Sequence, residues 1–114
     1  MKKMLIAIDS EIFIEALERT LNRRYEIYTC SRGDEALQLL ATTEPDILII
    51  DYSLPPINGL EVLKQASYTP PVIIALTNYL SDRIVQESQT AGVKALIRHP
   101  CTLDSILSAL AKLQ

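Results

Sequence analysis

The chain has 114 residues, 48% of them hydrophobic, and a formal net charge of −3. That describes one globular domain, residues 1–114, with one core, and excludes a disordered chain. Basic clusters stop at the pairs Lys2-Lys3 and Arg23-Arg24, which excludes direct nucleic-acid contact through a basic face. No apolar run is long enough to cross a bilayer, so no membrane role is expected, and the apolar stretch after Lys3 ends at Asp9, too early for a secretory leader; a cytoplasmic protein is the expectation.

Lys3 to Ile8 reads as a buried strand. Ser10 follows as an N-cap with Glu11 in the first helical turn, and Phe13, Ala16, Leu17, Thr20 and Leu21 recur at helical spacing. Arg23 to Cys30 is rich in strand formers. Ser31-Arg32-Gly33-Asp34 reads as a capping box before a helix with Ala36, Leu37, Leu40 and Ala41 on its apolar face, stopped at Glu44-Pro45. Ile47-Leu48-Ile49-Ile50 is an unbroken apolar run between turn residues, the pattern of a strand buried on both faces, and it ends in Asp51. After the Pro55-Pro56 turn a short helix is expected from Ile57 to Ala66, with Gly59 in its first turn and Leu60 and Leu63 facing the core.

A fourth buried strand, Val72 to Leu76, runs into Thr77. Ser81-Asp82 opens a helix carrying Ile84, Val85, Ser88 and Ala91 on one side, with Gly92 as its C′ residue. Val93 to Arg98 is a fifth strand broken by His99-Pro100, and Thr102 caps a last helix with the stripe Leu103, Ile106, Leu107, Leu110. Five strands alternating with five helices give a doubly wound α/β fold of flavodoxin-like type, with a parallel sheet in the order 2-1-3-4-5. In that order Asp9-Ser10, Asp51, Thr77 and His99 line one rim, at the carboxyl ends of the strands, where such sheets bind ligands. Cys30 and Cys101 fall near opposite edges and are expected as free thiols.

Asp51 with Leu54-Pro55 and Asn58-Gly59, the strand ending at Thr77 and the strand closed by His99-Pro100 resemble, in order and spacing, the receiver domain of two-component response regulators. The resemblance covers the chain from Lys3 to about Leu113. It implies a domain in a phosphorelay that takes a phosphoryl group from a histidine kinase, a phosphotransfer protein or a small phosphodonor, and is not an enzyme in the usual sense. Asp51 matches the phosphoacceptor and Thr77 the hydroxyl that contacts phosphoryl oxygens. Asp9, Asp51 and the backbone carbonyl of Ser53 match the ligands of a Mg²⁺. The face made by the fourth helix, fifth strand and fifth helix, here Leu80 to Ala91, Leu96 to His99 and Leu103 to Leu110, matches one that mediates dimerisation or output.

Three positions depart from the family pattern. Ser10 stands where a second acid is expected, which weakens a site for a hard dication, and Glu11 is one residue too far along to replace it. His99 stands in place of a lysine, and with a reference pKa of about 6.5 imidazole is no obligatory cation. Leu96 stands in place of an aromatic switch. Two readings follow: Asp51 still accepts a phosphoryl group, or the domain is a pseudo-receiver that keeps the fold as an interaction module. Two others come from the residues themselves. Asp9, Asp51 and His99 together would prefer a transition metal to Mg²⁺. A nucleotide- or flavin-binding protein would need a phosphate cradle after the first strand, which Asp9-Ser10-Glu11-Ile12 lacks. The chain could equally stand alone or belong to a longer regulator.

Overall fold

A computed structural model describes residues 1–114. Strands and helices alternate without exception: β1 (Lys2–Ala7), α1 (Glu11–Leu21), β2 (Tyr25–Cys30), α2 (Gly33–Thr43), β3 (Ile47–Asp51), α3 (Gly59–Gln65), β4 (Val72–Thr77), α4 (Asp82–Thr90), β5 (Ala95–Arg98) and α5 (Leu103–Leu113). All strand pairs are parallel and the sheet order is β2-β1-β3-β4-β5. This is the order expected from the sequence.

Strand alternation divides the core in two. Leu5, Leu48, Ile50, Ile73 and Ala75 face one side, where Ala36 and Leu40 of α2 and Leu60 and Val62 of α3 cover them. Met4, Ile6, Ile47, Ile49, Ile74 and Leu76 face the other, under Ile14, Leu17 and Leu21 of α1 and Ile106 and Leu110 of α5. Every residue of β3 is buried, which explains the unbroken apolar run in its sequence. Asp51 shares parity with Ile47 and Ile49 and so belongs to the α1/α5 side; Thr77 shares parity with Ile73 and Ala75 and belongs to the α2/α3 side.

Several local expectations change. Arg32, not Ser31, is the N-cap of α2, and its side chain does not cap. It pairs instead with Asp34, both contacts at 3.0 Å, while the first amide of the helix, Gly33 N, donates to Pro55 O at 2.8 Å. The helix is therefore started by docking on the β3–α3 loop and not by a capping box. Helix α3 begins at Gly59 because Asn58 caps it, Oδ1 accepting from Glu61 N at 2.9 Å; Ile57 lies outside. Strand β5 is shorter than expected, since Val93 N donates to Ser88 O at 3.0 Å in the exit turn of α4. The buried stripe of α1 is Ile14, Leu17 and Leu21; Thr20 is exposed and its hydroxyl donates to Ala16 O at 2.9 Å. Ala41 is likewise exposed. Val62 is fully buried in α3, where Leu63 is only partly covered. The two thiols are free and sit on β2 and beyond β5, at the two edges of the sheet.

Candidate functional site: an acidic cleft at the carboxyl edge of the sheet

Asp51 is the last residue of β3 and is 5% exposed. Its two oxygens are not equivalent. Oδ1 accepts from Ser53 N at 2.9 Å, which turns the chain away from the strand and fixes the carboxylate plane. Oδ2 has no hydrogen bond and faces His99 Nε2 at 3.7 Å. One oxygen is thus anchored and the other is free to react. The backbone around it is held from two directions. Tyr52 N donates to Leu76 O at 2.8 Å and Gly59 N to Tyr52 O at 3.2 Å. A Cβ on Gly59 would lie 2.4 Å from Asp51 O, so only glycine lets the start of α3 close against the carbonyl of Asp51. Gly33 has the same function against Ile57, where a Cβ would meet the carbonyl oxygen at 1.9 Å.

Around Oδ2 lies a cleft of about 450 Å³ lined by Asp9, Ser10, Phe13, Asp51, Ser53, Asn78 and His99, with Ile8 and Pro100 at its walls. Of the residues singled out from the sequence, Asp9, Ser10, Ser53, Asp51 and His99 meet here. Glu11 does not; it is exposed in the first turn of α1. Ser10 has extended backbone (φ −160°, ψ 109°) and its Oγ accepts from Phe13 N at 3.3 Å, so it is the N-cap of α1. Thr77, 4% exposed, lies behind the cleft. Its Oγ1 donates to Tyr79 O at 3.0 Å and accepts from Tyr79 N at 3.3 Å, and it faces the hollow between α3 and α4. Leu96 packs, half-buried, on the α2/α3 side of the core. Its neighbours Leu80 and Val85 on the α4 side are 41% and 38% exposed.

No three His, Cys, Asp or Glu side chains converge in a metal-holding arrangement. The transition-metal centre of Asp9, Asp51 and His99 is therefore not formed: His99 approaches Asp51, but Asp9 does not complete a three-donor set. Mg²⁺ asks for less. It is commonly held by one or two carboxylates, with phosphate oxygens and water completing the shell. Asp9 and Asp51 in one cleft, next to Ser53, fit that requirement.

Four residues near the site were not singled out for it from the sequence. Asn78 Nδ2 donates to Ser53 Oγ at 2.9 Å, bridging the two loops at the cleft mouth. The hydroxyls of Tyr52 and Ser88 meet at 2.6 Å in a buried pair that ties the residue after Asp51 to α4. Cys101 Sγ lies 3.6 Å from His99 Nδ1. The available signals were weak: a polar residue directly after Thr77, and a thiol two residues past His99 across Pro100. Burial pushes the Cys101 thiol up, with the Asp51 carboxylate adding to this and a hydrogen bond with Ser105 opposing it.

Comparison with known proteins agrees with this fold. The model of the response regulator receiver domain family matches residues 4–111. The alkaline phosphatase synthesis transcriptional regulatory protein PhoP of Bacillus subtilis is 40% identical over 65 residues, 56% of this chain and 27% of that protein. Response regulator MprA of Mycolicibacterium vanbaalenii is 28% identical over 116 residues, 97% of this chain and 49% of that protein. The chain thus spans half or less of the length of these relatives. Among solved structures, the chemotaxis protein CheY4 of Vibrio cholerae superposes with a TM-score of 0.83 at 28% identity, covering 100% of this chain and 99% of that one. A CheY-like receiver domain protein of Methanospirillum hungatei gives 0.85 at 26% identity, covering 99% and 94%. With the family model matching residues 4–111 and the fold superposing over the whole chain, the chain belongs to the receiver domain family of two-component response regulators.

Proposed function

We propose that Asp51 is the phosphoacceptor of this receiver and that the domain signals through protein contacts rather than by turnover. The observation that carries the reading is the asymmetry of its carboxylate: Oδ1 anchored on Ser53 N, Oδ2 without a hydrogen bond at the mouth of a cleft. In the transfer, Oδ2 attacks phosphorus, and a new P–O bond forms as the bond from phosphorus to the donor breaks. The leaving group departs with the electron pair and takes up a proton, and an aspartyl phosphate remains. The donor is a phosphohistidine of a kinase or phosphotransfer protein, or a small phosphodonor.

Asp9, Asp51 and the Ser53 carbonyl would hold Mg²⁺, which when bound supplies positive charge against the phosphoryl oxygens. With Ser10 committed to capping α1, that hold is weaker than a pair of acids after β1 would give. His99 reaches toward Oδ2 from just beyond β5. Thr77 reaches phosphoryl oxygens only by leaving Tyr79, which would release the β4–α4 loop. Leu96 cannot follow with a ring and hydroxyl, so signalling runs through that loop and α4. The exposed Leu80 and Val85 make the α4–β5–α5 face the surface for a second copy or an output partner. No helix is long and apolar enough to cross a membrane, in keeping with a cytoplasmic site of action.

The test is incubation with a small phosphodonor with and without Mg²⁺, read by intact mass. A single phosphoryl adduct that needs Mg²⁺ supports the reading. An unmodified chain that also binds no Mg²⁺ supports the pseudo-receiver.

A further inference from the structure

From Cys101 to Asp51 the side chains form a relay through one ring. Cys101 Sγ is 3.6 Å from His99 Nδ1, and His99 Nε2 is 3.7 Å from Asp51 Oδ2. A neutral imidazole carries one N–H and one bare nitrogen, and the partner of one nitrogen decides the state of the other. Carboxylate Oδ2 can only accept, so a productive ring must turn an N–H toward it. That requires Nδ1 to be the bare nitrogen, facing a donor. The thiol is such a donor: burial, opposed by a hydrogen bond with Ser105 and aided by the Asp51 carboxylate, leaves its S–H form favoured. No other side chain hydrogen-bonds the ring.

We propose that Cys101 is a positioning residue of the acceptor site: its S–H, donated to His99 Nδ1, holds the imidazole in the Nε2–H form and aims that N–H at Asp51 and at the phosphoryl group bound there. The site then meets the transferring group with an oriented N–H donor at the position where the family has a lysine. This rests on the phosphoacceptor reading of Asp51. Cys101 also packs against the apolar cluster beneath α1 and α5. Alanine preserves part of that packing and lacks the donor; serine restores a donor.

His99 is the one histidine in the chain, so its ring resonances need no further assignment. Nitrogen-15 NMR of the unphosphorylated chain at about pH 8, above the imidazole reference of about 6.5, reads the tautomer directly. The wild type and Cys101→Ser are expected in the Nε2–H form, and Cys101→Ala as a mixture. Phosphorylation by a small phosphodonor should slow about fivefold in Cys101→Ala and recover in Cys101→Ser. An Nδ1–H ring in the wild type, or an unchanged tautomer in Cys101→Ala, overturns the proposal. A wild type that takes no phosphoryl group overturns the acceptor reading, and the ring-nitrogen result then decides by itself whether the thiol holds His99.

Discussion

At the scale of single residues, the site is defined by what each polar atom is already doing. Ser10 Oγ is occupied by Phe13 N, Asp51 Oδ1 by Ser53 N and Thr77 Oγ1 by Tyr79, which leaves Oδ2 as the open oxygen of the acceptor. Ser10 therefore separates two roles that one residue could combine. Ser10→Ala removes the cap and should cost about 1 kcal/mol in urea unfolding. Ser10→Asp keeps a good cap and restores the missing acid. It should hold stability within about 0.5 kcal/mol and tighten Mg²⁺ about tenfold by calorimetric titration. Unchanged Mg²⁺ affinity in Ser10→Asp would show that position 10 does not face the metal. Cys30 gives a pH signal of its own. Burial pushes its thiol up to about 11 from 9.0, so above pH 9 the unfolded chain loses a proton that the folded chain keeps. Folding stability tied to this group is complete below about pH 9 and falls as pH rises through about 11. Thermal unfolding followed from about pH 8 to about pH 11 should decline less steeply in Cys30→Ala than in the wild type. Most acceptor-site residues were legible because charge and strand position mark them. The contacts of Cys101 with His99 and of Thr77 with Tyr79 were not, since they depend on loop geometry that no spacing rule encodes.

At the scale of elements, Asp51 is held by a helix start as much as by its strand. Asn58 caps α3, and Gly59 brings that cap against Asp51 O. Gly59→Ala puts a methyl 2.4 Å from that carbonyl and must move either α3 or the end of β3. We expect a loss of about 1–3 kcal/mol in urea unfolding, together with slower phosphorylation. A variant of wild-type stability would mean that α3 does not fix the acceptor's backbone. On the opposite side, the buried Tyr52–Ser88 hydroxyl pair joins β3 to α4. The sequence reading found every element, with boundaries shifted by one or two residues in several and the first residue of α2 placed by a tertiary contact. The Ser31–Asp34 motif looked like a capping box, but Gly33 N is claimed by Pro55 O and Arg32 by Asp34. A long-range hydrogen bond overrode a local pattern, and local patterns are all that sequence spacing reports.

At the scale of the whole molecule, the sheet order places Asp9, Asp51 and His99 at one rim and two apolar layers behind them. That architecture was legible because alternation of apolar runs with helical stripes leaves few ways to wind five strands. Less legible was the chemistry of a site with Asp51 and Thr77 at the positions that resemble the family's acceptor and hydroxyl, but with Ser10 where an acid, His99 where a lysine and Leu96 where an aromatic is expected. Despite those exchanges the Asp51 carboxylate stays anchored through Oδ1 on Ser53 N, beside an open cleft. The central claim is that Asp51 still takes a phosphoryl group. Its most direct measurement is peptide mass mapping of the chain after treatment with a small phosphodonor and Mg²⁺, alongside Asp51→Asn. One phosphoryl group on the peptide containing Asp51, released by hydroxylamine as an acyl phosphate should be and absent from Asp51→Asn, is the predicted result. An unmodified wild type, or an adduct that persists in Asp51→Asn, would contradict it.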